Sequence, residues 1–418
     1  MTHRRGFLRD AALLGAAFAV PGQERGMAAR EGGWPGSARA QDPWAEVRAR
    51  FTISPRGIYF NTGTVGASPR AVVEATEGHL EAFETVFEQR AADIAGLRAA
   101  LGELLDAPAD SFAFPRNTTE AMSWVAGGLD LARGGEILMT DQEHVGGQMP
   151  WEAAARRHGL TVRYVRLPVP ARSAQQVHDA WMREVTPRTR VAMITHVTFS
   201  NGLIQPVREL CAEFGRRGVV TAVDGAHPPG LLRLSLRALG CDYYCSSPHK
   251  WLLAPKGCGL FYAREEAAAR LWPVIVSGGW DDTALKAGRF DHLGTRNDSL
   301  LAGFKAAMDF HREVGPERVY ARIRELSERL YAALARTDGV ELKSPSDPSI
   351  RAGLISFTVR GWPTPELIQE LMRRGTVRVR HVAEHRLDWV RMTTHVYNSE
   401  QQVDTVAGLV EEMARERS

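Results

Sequence analysis

The sequence predicts an α/β fold, a mostly parallel sheet covered by helices on both faces, joined to a smaller α+β lobe. Three observations lead there. From residue 58 to about 260, short β-rich runs alternate with amphipathic helical runs, as expected for parallel strands joined by helical crossovers. Past about residue 300 the alternation gives way to a long helical region and then to scattered strands and helices. The 418 residues, 44% hydrophobic and 24% charged, suffice for a large core and two lobes. That composition excludes a disordered chain, a collagen and a disulfide-stapled miniprotein.

Seven strands are expected in the first lobe, over residues 111–114, 136–139, 162–167, 191–196, 219–223, 243–245 and 259–262. Helical runs fall between them, among them 118–130, 149–157, 207–217 and 234–239. The second lobe reads as one helical region from 300 to about 338, a strand over 353–359 and a helix over 365–374. A β-rich stretch and a closing helix over 399–415 complete it. No internal repeat appears. In such a chain, ligands are expected where loops at the carboxyl ends of the parallel strands face the second lobe.

The first 40 residues read as a removable leader. His3 to Arg9 is HRRGFLR, residues 11–20 are apolar but too short to span a bilayer, and 37–41 is SARAQ, with cleavage expected after Ala40. The Arg4-Arg5 pair with Phe7 and Leu8 resembles the twin-arginine export signal, which implies the twin-arginine machinery as a partner and a periplasmic or secreted protein. A retained, Ala-rich N-terminus is the alternative. No later stretch approaches the roughly 18 apolar residues of a membrane helix, so the mature chain is expected to be soluble.

Charge argues against nucleic acid as a partner. The 52 Lys+Arg face 49 Asp+Glu, and the leader holds six arginines against three acids, which leaves the rest at 46 against 46. The four cysteines, Cys211, Cys241, Cys245 and Cys258, form no CxxC pair, and no HExxH occurs, so no metal site is expected. Buried free thiols are the simplest reading; an oxidising compartment permits a disulfide that the sequence does not choose.

Lysine is the informative residue type. Only Lys250, Lys256, Lys286, Lys305 and Lys343 occur among 52 basic residues, so arginine serves wherever a generic positive charge suffices. Lys250, in Cys245-Ser-Ser-Pro-His-Lys-Trp-Leu-Leu-Ala-Pro, follows a strand end and precedes an apolar stretch. Partial desolvation there lowers an amine's pKa and suits it to Schiff-base formation; a lysine covering apolar surface with its stem fits equally well. Asp224, in Val219-Val-Thr-Ala-Val-Asp-Gly-Ala-His-Pro-Pro-Gly, ends another strand with His227 just beyond. A carboxylate so placed either caps a turn or holds a pyridinium nitrogen protonated.

The stretches VDGAHPPG, SSPHKW and Gly294-Thr-Arg-Asn resemble motifs of the class V aminotransferase family of fold-type I enzymes dependent on pyridoxal 5'-phosphate (PLP). They are most similar to its isopenicillin N epimerase-like branch. The resemblance runs in order from about Tyr59 to Tyr397. After the leader over 1–40, it implies an N-terminal arm over 41–60 packing on the small domain, a large PLP-binding domain over 61–295 and a small domain over 296–418.

By that resemblance Lys250 holds PLP as a Schiff base and then serves as acid and base at Cα, while Asp224 pairs with the pyridine nitrogen. Thr118 and Thr119, in Arg116-Asn-Thr-Thr-Glu-Ala, are implied in phosphate binding at a helix N-terminus, a place that a plain N-cap explains as well. His144, in Asp141-Gln-Glu-His, takes the place of the ring that stacks on the cofactor, or is a solvated loop histidine. Asn201 and His227 are implied near the phenolic oxygen. Ser247 and His249 match phosphate contacts, although Pro248 stands where relatives often have glycine. Thr295 resembles a threonine reaching the phosphate from the other subunit, which implies a homodimer with shared active sites. Arg391, in Val390-Arg-Met-Thr-Thr-His-Val-Tyr-Asn, matches the arginine that grips a substrate α-carboxylate.

The family's desulfurases carry a cysteine on a small-lobe loop, but residues 376–390 contain His381 and His385 and no cysteine. Persulfide-forming desulfuration is therefore disfavoured. Modification at Cα of an amino acid or peptide-borne amino acid is expected, as an epimerase or aminotransferase; a β-eliminating lyase and a non-catalytic PLP-binding sensor are the alternatives. The export signal adds a resemblance to a periplasmic PLP enzyme that tailors a pyoverdine side chain, which points to a secreted peptide metabolite as substrate.

Overall fold

Strands rich in β-branched and aromatic residues build a seven-stranded sheet that positions everything else. The computed structural model describes residues 42–86 and 92–417, so the leader expected over 1–40 lies outside the described residues. In chain order the strands are β1 (Ile58–Tyr59), β2 (Phe112–Ala113), β3 (Glu136–Thr140), β4 (Thr161–Val165), β5 (Thr189–Thr195), β6 (Val220–Asp224), β7 (Tyr243–Ser246) and β8 (Leu260–Ala263). The smaller lobe follows with β9 (Val340–Leu342), β10 (Leu354–Val359), β11 (Val377–Arg378), β12 (Arg380–Val382) and β13 (Trp389–Thr393).

The large sheet runs β2-β8-β7-β6-β5-β3-β4. Its pairs from β4 to β7 are parallel, and the two pairs made by β8 are antiparallel. The expected mostly parallel seven-stranded sheet is thus present, with its antiparallel strands at one edge. Side chains alternate between two buried faces: Ala192 and Ile194 pack into one core with Leu138, Val223 and Tyr244, whereas Val191 and Met193 pack into the other with Ile137, Met139 and Ala222. Burial on both faces explains why these strands read as continuous apolar runs. Each fully buried Val, Leu, Ile or Met side chain among them contributes roughly 1.5–3 kcal/mol.

The small lobe is a four-stranded antiparallel sheet, β12-β13-β10-β9. Helices Pro316–Ala335 and Glu400–Glu416 cover it, burying Leu326, Leu330, Val403, Val406 and Val410. Ser399 and Gln402 close a reciprocal capping box at the start of the last helix. The single helical region expected over 300–338 is two helices, Ser299–Val314 and Pro316–Ala335. Gly315 breaks them with φ 91°, and Pro316, which lacks an N–H, opens the second. The first of the two buries Phe304, Ala307 and Met308 in the large-lobe core and Phe310 and Val314 against the small lobe, so it bridges both.

The arm returns to the far end of the chain. Ile58 and Tyr59 pair in parallel with Val377 and Arg378, and the Thr393 N–H donates to Phe60 O at 2.9 Å. All four cysteines are free and buried. No helix among the described residues is long and apolar enough to cross a membrane.

Candidate active site

A cavity of about 300 Å³ opens where the carboxyl ends of β3, β5, β6 and β7 meet the small lobe. Lys250, Asp224, His227, Thr118, Thr119, His144, Ser247, His249 and Arg391 all line it. Residues far apart in the sequence converge because a parallel sheet delivers every strand end to the same edge.

Lys250 follows β7 in a turn where its N–H donates to Ser247 O at 3.0 Å. Pro248 fits this turn because its own nitrogen donates nothing there. Burial pushes the Lys250 ammonium down to about 7, opposed by Asp224 and reinforced by Arg391 and Arg380. Its Nζ lies 3.5 Å from His227 Nε2. Gly66 admits the lysine backbone: a Cβ there would lie 2.0 Å from Lys250 O.

Asp224 ends β6, buried, with Oδ1 accepting the Ala226 N–H at 3.0 Å. Burial raises its pKa, while that hydrogen bond and Lys250 hold it down. Gly147 makes room for it, since a Cβ there would stand 2.6 Å from Asp224 Oδ2. Beneath lies Glu143, fully buried, accepting from the Thr140 N–H and hydroxyl and from the Thr195 hydroxyl. Burial carries the Glu143 carboxyl up to about 7.

The opposite end is a set of hydroxyls. Asn117 caps helix Thr118–Gly128 by accepting the Glu120 N–H, which leaves Thr118 and Thr119 on the first turn facing the cavity. The Thr118 N–H donates to Ser247 Oγ at 3.2 Å, and the two hydroxyls are 2.8 Å apart. His249 is held by Cys258 O, 3.1 Å from Nδ1. His144 caps helix Val145–His158: its Nδ1 accepts the Gly146 N–H at 3.1 Å, and the ring packs edge-on against Phe199. Burial lowers His144 to about 3, so it is neutral.

Arg391, on β13, is 1% exposed. It donates to Phe199 O at 2.8 Å and Thr64 Oγ1 at 2.9 Å, no carboxylate pairs with it among the described residues, and its Nε has no partner. A buried guanidinium without a counter-ion is costly unless an anion arrives.

Two expected residues lie elsewhere. Asn201 does not reach the cavity: its Oδ1 accepts from the Thr198 hydroxyl at 2.5 Å and the Leu203 N–H at 3.2 Å, and its Nδ2 donates to Lys343 O at 3.1 Å. The side chain is consumed in tying its own turn to the small lobe, which leaves His227 alone on that edge. Thr295 is exposed on a turn beside Gly294, in a separate surface hollow with His79 and Phe83. Residues that the sequence did not nominate also line the cavity. Gly63 and Thr64 follow β1 at the start of the large domain and Arg380 lies on β12; no local signal marks them, because only the packing of the two lobes brings them in.

This donor set fits PLP. Hydroxyls at a helix N-terminus suit a phosphate, an acid at the far end suits a ring nitrogen, and a neutral amine between them suits an aldehyde.

The family described as aminotransferase class-V matches residues 66–406. Among curated relatives, the isopenicillin N epimerase of Amycolatopsis lactamdurans is 35% identical over 393 residues, covering 89% of this chain and 99% of that protein. The isopenicillin N epimerase of Streptomyces clavuligerus is 31% identical over the same shares. A probable cysteine desulfurase of Xylella fastidiosa is 28% identical over 79% of this chain and 84% of its own. Among solved structures, the cystine C–S lyase C-DES in complex with cysteine persulfide superposes with a TM-score of 0.77 at 27% identity, covering 86% of this chain and 98% of that one.

Proposed function

The chain belongs to the class V aminotransferase family of PLP-dependent enzymes, and from that premise we propose that it exchanges the Cα proton of an amino acid or peptide-borne amino acid, as an epimerase or aminotransferase. Bound in this cavity, PLP supplies an electron sink that makes the Cα–H acidic. The protein's own residues do the rest. Asp224 keeps a proton on the ring nitrogen, Lys250 as a neutral amine takes and returns the Cα proton, and Arg391 holds the α-carboxylate.

The observation that carries this reading is the buried, unpaired Arg391 in the same small cavity as a buried lysine whose pKa is about 7. Persulfide-forming desulfuration is disfavoured because the stretch 376–390 has no cysteine and the four cysteines are buried. Similarity to a cystine C–S lyase favours β-elimination as the second reading. Incubation of the holoenzyme with amino acids and short peptides in deuterated water separates the two. Deuterium at Cα of the recovered amino acid, with inversion or with a keto acid that keeps its β-substituent, supports proton exchange; release of ammonia with loss of the β-substituent supports the lyase. No deuterium uptake with any substrate would refute both.

The same proposal includes a homodimer in which Thr295 reaches the phosphate end of the neighbouring subunit's site. The exposure of Thr295 and of Trp272, Val274 and Val276 (60%, 51% and 62%) supports a covered face. It also includes twin-arginine export, a mature chain starting near Gln41, and a periplasmic or secreted setting with a pyoverdine-like peptide as substrate. Light scattering of the holoenzyme and N-terminal sequencing of exported protein test these points; a monomer or an intact leader overturns them.

A further inference from the structure

The small-lobe end of the cavity holds more positive charge than one α-carboxylate uses. We propose that Arg380 recognises a second anionic group of the substrate, a carboxylate on its side chain, which exchanges with Glu384. This rests on the reading of Arg391 as the α-carboxylate site.

Arg380 and Arg391 stand directly opposite each other on β12 and β13. Both guanidiniums converge on one neutral oxygen, Thr64 Oγ1, at 3.5 and 2.9 Å. Two cations drawn to a single hydroxyl repel each other, and the repulsion is little screened away from solvent. Of the residues lining the cavity, three are cationic types, Lys250, Arg380 and Arg391, whereas Asp224 is the one carboxylate and serves the ring-nitrogen end. Glu384 pairs with Arg380 from outside the lining. Among the described residues, the Nε atoms of both arginines are buried without partners, and the 3.5 Å contact to Thr64 is the only hydrogen bond of Arg380 Nη1.

Shape agrees with charge. Arg380 Cζ lies over the Phe199 ring, 5.5 Å from its centroid, so the aromatic face helps hold the guanidinium at the cavity. Glu384 is carried on the short turn Glu384–Arg386, where His385 and Arg386 hold φ of 56° and 64°, and Asp388 just beyond holds 55°. Residues other than glycine are strained at such angles. The carboxylate that neutralises Arg380 in the free protein is thus carried by a short turn rather than by a strand, and an incoming carboxylate replaces it there. An ω-amide cannot make that replacement, because it brings no charge.

The test uses the holoenzyme and matched pairs of substrates: aspartate with asparagine, glutamate with glutamine, and the next longer homologue with its amide. Affinity is read by titrating the visible band of the bound cofactor and, independently, by calorimetry. The expected result is at least a tenfold preference for one acid over its amide, collapsing to near unity in Arg380→Gln, intermediate in Arg380→Lys and increased in Glu384→Gln. Each ratio is internal to one protein, so a general loss of stability does not move it, and the Lys and Glu384 variants decide if Arg380→Gln fails to fold. Equal affinity for every acid and its amide in the parent protein, or a preference unchanged in Arg380→Gln, overturns the proposal while leaving the α-carboxylate reading intact. Failure of every amino acid, acidic or neutral, to bind overturns that reading and this inference with it.

Discussion

The Trp251 indole N–H donates to His227 Nδ1 at 3.0 Å, and this bond sets the proton position of the histidine that faces the buried Lys250. An indole nitrogen only donates, so Nδ1 must accept. Burial drives the His227 pKa well below its ordinary value, so the ring is neutral and its proton sits on Nε2. That atom is the one 3.5 Å from Lys250 Nζ. Facing an N–H, the lysine is stable there as a neutral amine, the form that reacts.

Substituting Trp251 with Phe should release the tautomer. Nδ1 can then carry the proton and Nε2 can accept from an ammonium, which favours charged Lys250. The pH at which the apoprotein begins to attach PLP should move toward alkaline values, with stability reduced by roughly 1–2 kcal/mol from the lost hydrogen bond. Stopped-flow absorbance across pH checks it; an unmoved profile removes Trp251 from this role.

Attachment of PLP to the parent apoprotein should speed up through about pH 7 and level off above it, because burial lowers Lys250 to that value. An ordinary surface lysine would keep gaining until beyond pH 10. The same shift has a stability sign. Between about 7 and the ordinary lysine value the unfolded chain binds the extra proton, so this group makes the apoprotein more stable as pH rises through that window. Denaturant melts at several pH values, compared with Lys250→Met, isolate the contribution.

Gly147→Ala should weaken PLP retention at least tenfold, since its Cβ would stand 2.6 Å from Asp224 Oδ2 and displace that carboxylate. Gly78, in helix Arg70–Val86, is the control: a Cβ there meets nothing within 4 Å. Gly78→Ala should leave PLP binding alone and stabilise the fold by about 0.5–1 kcal/mol. Equilibrium dialysis and thermal melts read both; equal PLP affinity in the two variants would contradict the crowding argument.

Arg391→Met should make the apoprotein no less stable while weakening amino acid binding about a hundredfold. Removing a buried charge that has no counter-ion relieves a desolvation cost, whereas the carboxylate contact proposed for Arg391 would be lost outright. A lower melting temperature with unchanged binding would show that Arg391 is structural.

The residues legible in the sequence are those fixed by local geometry. Asp224, Ser247, His249 and Lys250 each sit within a few positions of a parallel strand's end, and Thr118 within one of a helix cap, so short stretches sufficed to place them. Thr64 and Arg380 were not legible, because 316 residues separate them and only the lobe packing joins them. Asn201 misled for the same reason: its partner, Lys343 O, belongs to the other lobe. Trp251 and Glu143 adjoin nominated residues, yet their roles depend on which atom of a neighbour they bond. The break at Gly315–Pro316 was written plainly in the sequence, but continuous apolar periodicity on both sides masked it.

The parallel pairing of β1 with β11 governs when the pocket is finished during synthesis. A ribosome delivers Gly63 330 residues before Thr393, whose hydroxyl oxygen accepts the Gly63 N–H at 3.0 Å. Until those last strands emerge, a nascent chain can shape the end of the cavity that Thr118 and Ser247 line but not the end that Arg380 and Arg391 line. A chain ending before residue 380 lacks both arginines that close the cavity, so the pocket is completed only when translation is nearly done.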